Sequence, residues 1–196
     1  MPTTMKFVGG TLCLDFINTV GGWSAGRVLD DKLECYADLL RWARLAGAIP
    51  ASAPRPDPPQ AAQVLARARV LRRALHRLFN CVLDSRRPSP ADLNVLRAEL
   101  ATARKHQTLT LARGKFRWEW DDAPSPDSVL WRVSQSAADL VTSPDLERLR
   151  RCAGENCGWL FMDSTRNHTR QWCDMKDCGN LAKVRRYRER HTRAKS

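Results

Sequence analysis

The chain has 196 residues, 43% of them hydrophobic and 28% charged, with a formal net charge of +12. That is enough for one ordinary core plus a small appended module, and no apolar run approaches the roughly 20 residues a membrane span needs. The first residues lack the basic-then-apolar layout of an export signal, and seven cysteines is an odd number for a disulfide framework, so a cytoplasmic protein whose paired cysteines hold metal is expected.

Gly9 to Val20 carries Leu12, Cys13, Phe16, Ile17 and Val20 at helical spacing. A helix is expected there, capped by Thr11 and ended by Gly21 and Gly22. Alternation of Leu12, Leu14 and Phe16 leaves a strand as the other reading. Asp15, Asn18 and Thr19 are polar groups set into this apolar run. They either hydrogen-bond locally or line a pocket, and Asp15, Asn18 and Trp23 are the candidate residues for binding a small-molecule effector.

Asp31 to Ala46 reads as a second helix, with Asp31 and Glu34 laid out as a capping box and Leu33, Tyr36, Ala37, Leu40 and Ala43 facing inward. Gly47 and Pro50 terminate it. Pro50 to Pro59 contains five of the eleven prolines and reads as an extended connector. Gln60 to Arg87 is a long helix whose apolar stripe runs from Val64 to Val82. Its Arg67, Arg69, Arg72, Arg73 and Arg77 read as a solvated face, and His76 as structural. Ser89-Pro90 opens a further helix with N-cap serine and N1 proline. From Gln107 to Asp121 the period drops to two, which predicts a β-hairpin turning at Arg113-Gly114-Lys115. Its aromatic row of Phe116, Trp118 and Trp120, opposed by Leu109 and Leu111, is expected in the core rather than as a platform for bases. Asp127 to Thr142 is the last helix of this part. Cys13, Cys35 and Cys81 read as small buried hydrophobes.

Beyond Ser143 the composition changes. From Arg148 to Ser196 thirteen Arg or Lys face five Asp or Glu, so a quarter of the chain carries +8 of the +12. Cys152 and Cys157 form one pair, Cys173 and Cys178 another, each with four residues between its members. Two soft ligands from one tight turn and two from another satisfy tetrahedral zinc, and closed four-cysteine sites are usually structural. The first pair is expected on a hairpin turn and the second at a helix start, a treble-clef-like arrangement holding one structural Zn²⁺. Leu181, Val184 and Tyr187 then form an apolar seam expected to pack on the zinc hairpin, which leaves Lys183, Arg185, Arg186, Arg188 and Arg190 for phosphates. Arg166 and Arg170 add cations in the loop between the pairs. Asp163, Asn167 and His168 also lie there, but one histidine in a polar loop falls short of a hydrolytic site. No catalytic residue is assigned.

These residues resemble the CGNR zinc finger. The likeness rests on the four cysteines, Cys157-Gly158-Trp159-Leu160-Phe161, Asp163-Ser164, Arg166-Asn167, Trp172-Cys173 and the tail through Lys183 and Arg185-Arg186-Tyr187-Arg188. One position departs: Cys178-Gly179-Asn180 is followed by Leu181 where the family signature has Arg. Leu14-Asp15-Phe16-Ile17-Asn18-Thr19 and the order of the later elements resemble the ABATE domain that accompanies this finger. The expected fold is therefore α+β: a mostly helical domain with one β-hairpin at 1–143 and the finger at 144–196. The resemblance implies a stress-induced bacterial transcription regulator binding duplex DNA, with an effector-sensing N-terminal domain, and a homodimer is the expected assembly. An RNA-binding or protein-interaction zinc module is the alternative. Changing Cys157 to Ser is expected to unfold the finger and spare the N-terminal domain.

Overall fold

A computed structural model describes residues 5–50, 56–121 and 125–193 of the chain. In order, it has α1 (Leu12–Ile17), β1 (Val20–Ser24), β2 (Arg27–Asp31), α2 (Tyr36–Leu45), α3 (Pro58–Leu83), α4 (Pro90–Arg104), β3 (Gln107–Ala112), β4 (Lys115–Trp120), α5 (Ser128–Val141), β5 (Leu149–Arg151), β6 (Leu160–Met162) and α6 (Asn180–Arg193). The three strand pairs are separate antiparallel hairpins. The α+β architecture with a terminal four-cysteine unit is the one expected. Half of the connector expected at Pro50–Pro59, residues 51–55, lies outside the described residues, and Pro58 and Pro59 already belong to α3.

Caps account for the starts of α3 and α4: the Ser89 cap is the one expected, whereas α3 begins at Pro58, two residues before the expected Gln60, behind Asp57. Asp57 accepts a hydrogen bond from Gln60 N at 2.8 Å, and Ser89 from Asp92 N at 3.1 Å, each ahead of an N-terminal proline. The left-handed Gly47 (φ 65°) closes α2. Around the long α3 the other elements bury Phe16, Ile17, Leu39, Trp42, Leu71, Leu75, Phe79, Leu130 and Val133.

Several expectations need correction. The first helix is short, and Gly21 and Gly22 belong to strand β1 rather than to a helix stop. Glycine is needed there because β1 lies against the finger. A Cβ on Gly22 would collide with the Asn156 carbonyl oxygen. Thr11 sits at the N-cap of α1 without capping it through its side chain. The capping box of α2 is formed by Cys35 and Asp38, four residues later than expected. Asp31 instead accepts from Leu33 N and from the Arg72 guanidinium. Cys35 is exposed and Cys81 half-buried; Cys13 alone of the three is the buried hydrophobe expected, its thiol pushed up to about 11 by burial.

Four of the five arginines of α3 are tied to neighbouring elements rather than forming a solvated face. Arg72 is fully buried and donates to Thr19 O and Oγ1 and to Asp31. Arg67 makes a bidentate pair with Glu99 of α4 and reaches Asp127 ahead of α5. Arg69 donates to Leu33 O, and Arg77 to the buried Asp92. These guanidinium forks clip α3 to its neighbours, as planar bidentate donors can and flexible ammonium groups do less well. The β3–β4 hairpin has the expected register, Leu109 opposite Trp118 and Leu111 opposite Phe116. Its apolar face is not core, however: all four of these side chains are exposed. Only Trp120, at its base, packs inward, near Trp131.

Candidate metal centre and cationic helix

The metal cluster is built by two turns. Strands β5 and β6 pair in register, Leu149 with Met162 and Arg151 with Leu160, and Cys152 and Cys157 occupy the turn between them. Cys152 N donates to Trp159 O at 2.8 Å and Cys157 N to Gly154 O at 3.1 Å, while Asn156 and Gly158 take positive φ to bend the chain. Ala153 N reaches Gln171 O at 2.9 Å and so ties this turn to the second one. Cys173 precedes, and Cys178 lies within, a single π-helical turn at Met175–Gly179 that leads directly into α6.

The four sulfurs lie within 4.8 Å of one another. The Cys157–Cys173 and Cys173–Cys178 separations are both 3.7 Å. That is far beyond a disulfide bond of about 2 Å. It matches the edge of a sulfur tetrahedron, roughly 3.8 Å, set by Zn–S distances near 2.3 Å. Backbone amides of Gly154 and Cys173 point at Cys152 Sγ at 3.4 and 3.3 Å, the support a thiolate needs. Gly154 leaves room for this: a Cβ there would lie 2.9 Å from Cys178 Sγ. Hydrogen bonds from Cys157 and Cys173 pull the Cys152 thiol strongly down, and the same neighbour pushes the Cys157 and Cys173 thiols up. Four thiolates this close together require a cation among them. The cluster can hold one zinc ion.

The turn is also locked into the rest of the molecule. Cys157 O accepts from Trp23 N at 2.9 Å, and Trp159 Nε1 donates to Val20 O at 3.1 Å. Asn18 makes a two-way pair with Leu160, donating to its O at 2.8 Å and accepting from its N at 3.1 Å. His76 of α3 stacks on Trp23 with centroids 3.7 Å apart and meets Gly158 O at 3.2 Å. Since a carbonyl only accepts, Nε2 carries the proton, and burial pushes the imidazole down to about 4, so the ring is neutral. Arg151 reaches Asn80 and Asp84 at the end of α3. From the other side, Gly9 O accepts from Met162 N at 2.8 Å and Lys6 pairs with Asp174 and Asp177.

The residues considered for an effector site do not meet in one cavity. Asn18 is committed to Leu160. Asp15 accepts from Gly9 N at 2.8 Å, its carboxyl raised to about 6 by burial. Trp23 lies under the zinc turn. The polarity of Asp15 and Asn18 in an apolar run was legible; that Asn18 bonds to Leu160 of β6, over a hundred residues away, was not.

The cations of the finger divide in the same way. Arg170 stacks over Phe161 at 4.3 Å and donates to Trp172 O and Cys173 O, so it braces the second cysteine turn. Asp163, fully buried, organises the loop between the pairs by accepting from Thr165 N, Thr165 Oγ1 and Arg170 N. These bonds, with Thr165 first, hold its carboxyl below the usual range. It is directed away from His168, whose Nδ1 meets its backbone carbonyl instead. Arg166 is exposed, as are Lys183, Arg185, Arg186, Arg188 and Arg190 along α6. Arg185 pairs with Glu155 in the first cysteine turn and with Glu189.

The seam expected to seat α6 on the hairpin does not form. Leu181, Val184 and Tyr187 are all exposed, and Tyr187 stacks on His191 of its own helix at 3.9 Å. Leu181, at the position of the family arginine, is 69% exposed and so packs on nothing that shields it. The helix is rooted at Cys178, and the ion pair of Arg185 with Glu155 reaches it from the first cysteine turn.

The family model ABATE, described as "Putative stress-induced transcription regulator", matches residues 10–144. A second model, the CGNR zinc finger, matches residues 148–191. No curated protein matches the chain.

Proposed function

Since the chain belongs to the ABATE family and carries a CGNR zinc finger, we propose that it is a transcription regulator that binds duplex DNA through α6. One observation carries the reading: an exposed helix rich in Arg and Lys leaves a four-cysteine root, while Leu149, Trp159, Leu160 and Phe161 of the finger are buried. Lys183, Arg186 and Arg166 are exposed cations suited to phosphate oxygens, with Arg188 and Arg190 further along the same helix. Arg185 is available once its surface pairs with Glu155 and Glu189 exchange for phosphate. In this reading Arg170 acts on DNA only by bracing the cysteine turn. The protein works as a cytoplasmic, non-enzymatic homodimer on a two-fold site, and the helical domain receives a small-molecule effector. No helix among the described residues is long and apolar enough to cross a membrane.

Fluorescence anisotropy of the zinc-loaded chain on labelled duplex, titrated with NaCl, tests this. Log affinity is expected to fall linearly with log salt, and the Lys183→Ala/Arg186→Ala variant to lose about 0.9 in slope per phosphate contact removed. Salt-independent binding, or an unchanged slope in the variant, would overturn it. Preference for structured RNA over duplex in competition would favour the alternative reading, and sedimentation of the free protein tests the dimer.

A further inference from the structure

A cavity of about 600 Å³ lies where α1, α5 and the end of α2 meet the base of the finger. That volume suits a small organic ligand. Its walls come from both parts of the chain: Leu12, Ala48, Trp120 and Leu140 from the helical part, Arg148 and Met162 from the finger.

One wall residue is unlike its counterparts elsewhere. Arg132 of α5 lines the cavity with its guanidinium 5.2 Å from the centre of the Trp120 ring. Three other half-buried or buried arginines of the helical part have acceptors: Arg67 has Glu99 and Asp127, Arg69 has Leu33 O and Asp31, Arg72 has Asp31 and Thr19. Arg132 has no carboxylate or carbonyl acceptor among the described residues. Burial depresses its pKa with nothing opposing. A desolvated guanidinium without an anion is costly, and the ring beneath it fixes its position without neutralising it. The acids nearby are already occupied: Asp139 accepts from Gln135 Nε2 at 2.6 Å, Asp145 pairs with Arg148, and Asp163 is turned into its own loop.

We infer that this cavity binds a small apolar carboxylic acid, its carboxylate on Arg132 and its body against Trp120, Leu12, Leu140 and Met162. A planar fork is suited to a carboxylate, and the apolar walls favour an acid with a hydrocarbon body over a free inorganic anion. The inference deepens the regulator reading, on which it rests, by giving the effector a chemical class and a place. That place touches the finger directly, at Met162 of β6 and Arg148 before β5, so occupancy ties the helical part to the zinc unit by added contacts.

Isothermal titration calorimetry on the zinc-loaded full chain tests it, with phenylacetate, benzoate and hexanoate as probes, each beside its primary amide. At least one acid is expected to bind at least tenfold more tightly than its amide. Arg132→Gln is expected to abolish that difference at unchanged zinc content and thermal stability, and Arg132→Lys to keep part of it. Absence of binding by all three acids, equal binding of acid and amide, or undiminished preference in Arg132→Gln would overturn the inference. Duplex binding is measured on the same preparations. Loss of the acid preference with intact duplex binding rejects the pocket alone, whereas acid binding without duplex binding rejects the regulator reading and keeps the pocket.

Discussion

The two halves of the finger meet the rest of the molecule in opposite ways. The hairpin half, β5 to β6 with Cys152 and Cys157, is continuous with the main core: Leu149, Trp159, Leu160 and Phe161 are buried in it, and Trp23, Asn18, Val20 and His76 bond to its backbone or side chains. The helix half has Leu181, Val184 and Tyr187 in solvent. The comparison separates two uses of one zinc ion. On the hairpin side the metal completes a core; on the helix side it fixes the root of a segment presented to a partner.

The largest test of this comparison is to remove the metal ligand set. The two family models match residues 10–144 and 148–191, and the sequence reading expects a finger that can unfold while sparing the N-terminal part. The packing opposes that: Cys157 O is the acceptor for Trp23 N, and Phe161 is fully buried. Structural zinc contributes on the order of 10 kcal/mol, as much as the whole stability of an ordinary domain. Cys157→Ser, or chelation, is therefore expected to unfold the N-terminal part along with the finger. Amide exchange reads this directly: protection in α1 and α3 should collapse together with that in β5 and β6. Native protection in α1 and α3 would mean that the hairpin half is separable after all. Retained stoichiometric zinc in the variant would contradict the ligand set.

Next in size is Phe161→Ala. Cutting a fully buried aromatic ring costs about 3–5 kcal/mol, and here it also removes the surface on which Arg170 stacks. Urea denaturation of the zinc-loaded variant should show that loss in a single transition. A cost below about 1 kcal/mol would place the hairpin outside the core.

How much of this was legible beforehand follows from the range of the interactions involved. The cysteine spacing, the Ser89 cap and the turn at Arg113-Gly114 are local, and each element stood where its signal placed it. The β1–β2 hairpin was missed because Gly21-Gly22 carries the signature of a helix stop; they are glycine for different reasons, the approach of Asp30 to Gly21 and of Asn156 from the finger to Gly22. The α3 arginines were misread because a periodic cationic face looks the same whether solvent or carboxylates cover it. Glu99, Asp127 and Asp31 become partners only through tertiary packing. The aromatic hairpin and the α6 seam show the converse: an apolar face predicts burial, yet neither is covered here.

The seam between finger and helices carries two buried titratable groups that act in opposite senses. His76 is lowered from 6.5 to about 4 by burial. Its unfolded form takes up a proton first, so its contribution is complete above pH 6.5 and is lost as pH falls toward 4. Asp15, which holds Gly9 against Met162, is raised from 3.8 to about 6 by burial. It destabilises the fold above pH 6, and that penalty is relieved as pH falls toward 4. Each full effect is on the order of 3 kcal/mol, so between pH 5 and 7 they largely offset each other. Urea denaturation under zinc saturation should show His76→Gln gaining stability relative to the parent as pH falls from 7 to 5, and Asp15→Asn losing it. Parallel pH profiles for the parent and both variants would show that neither group is buried at the seam.

The smallest effect is expected on the helix side. Tyr187 is 57% exposed and Val184 40%, with only His191 of the same helix stacked on the ring. Replacing Leu181, Val184 or Tyr187 by Ala should therefore change unfolding free energy by no more than about 0.5 kcal/mol, the usual range for surface positions. Alanine is also the best helix former, so part of the lost contact is returned as helix propensity. Measured beside Phe161→Ala, these variants quantify the asymmetry within one zinc finger. A cost above about 1.5 kcal/mol for Tyr187→Ala in the free protein would mean that α6 folds back onto a surface and that its cations are not freely presented. A cost seen only when duplex is bound would instead place the apolar stripe in the complex.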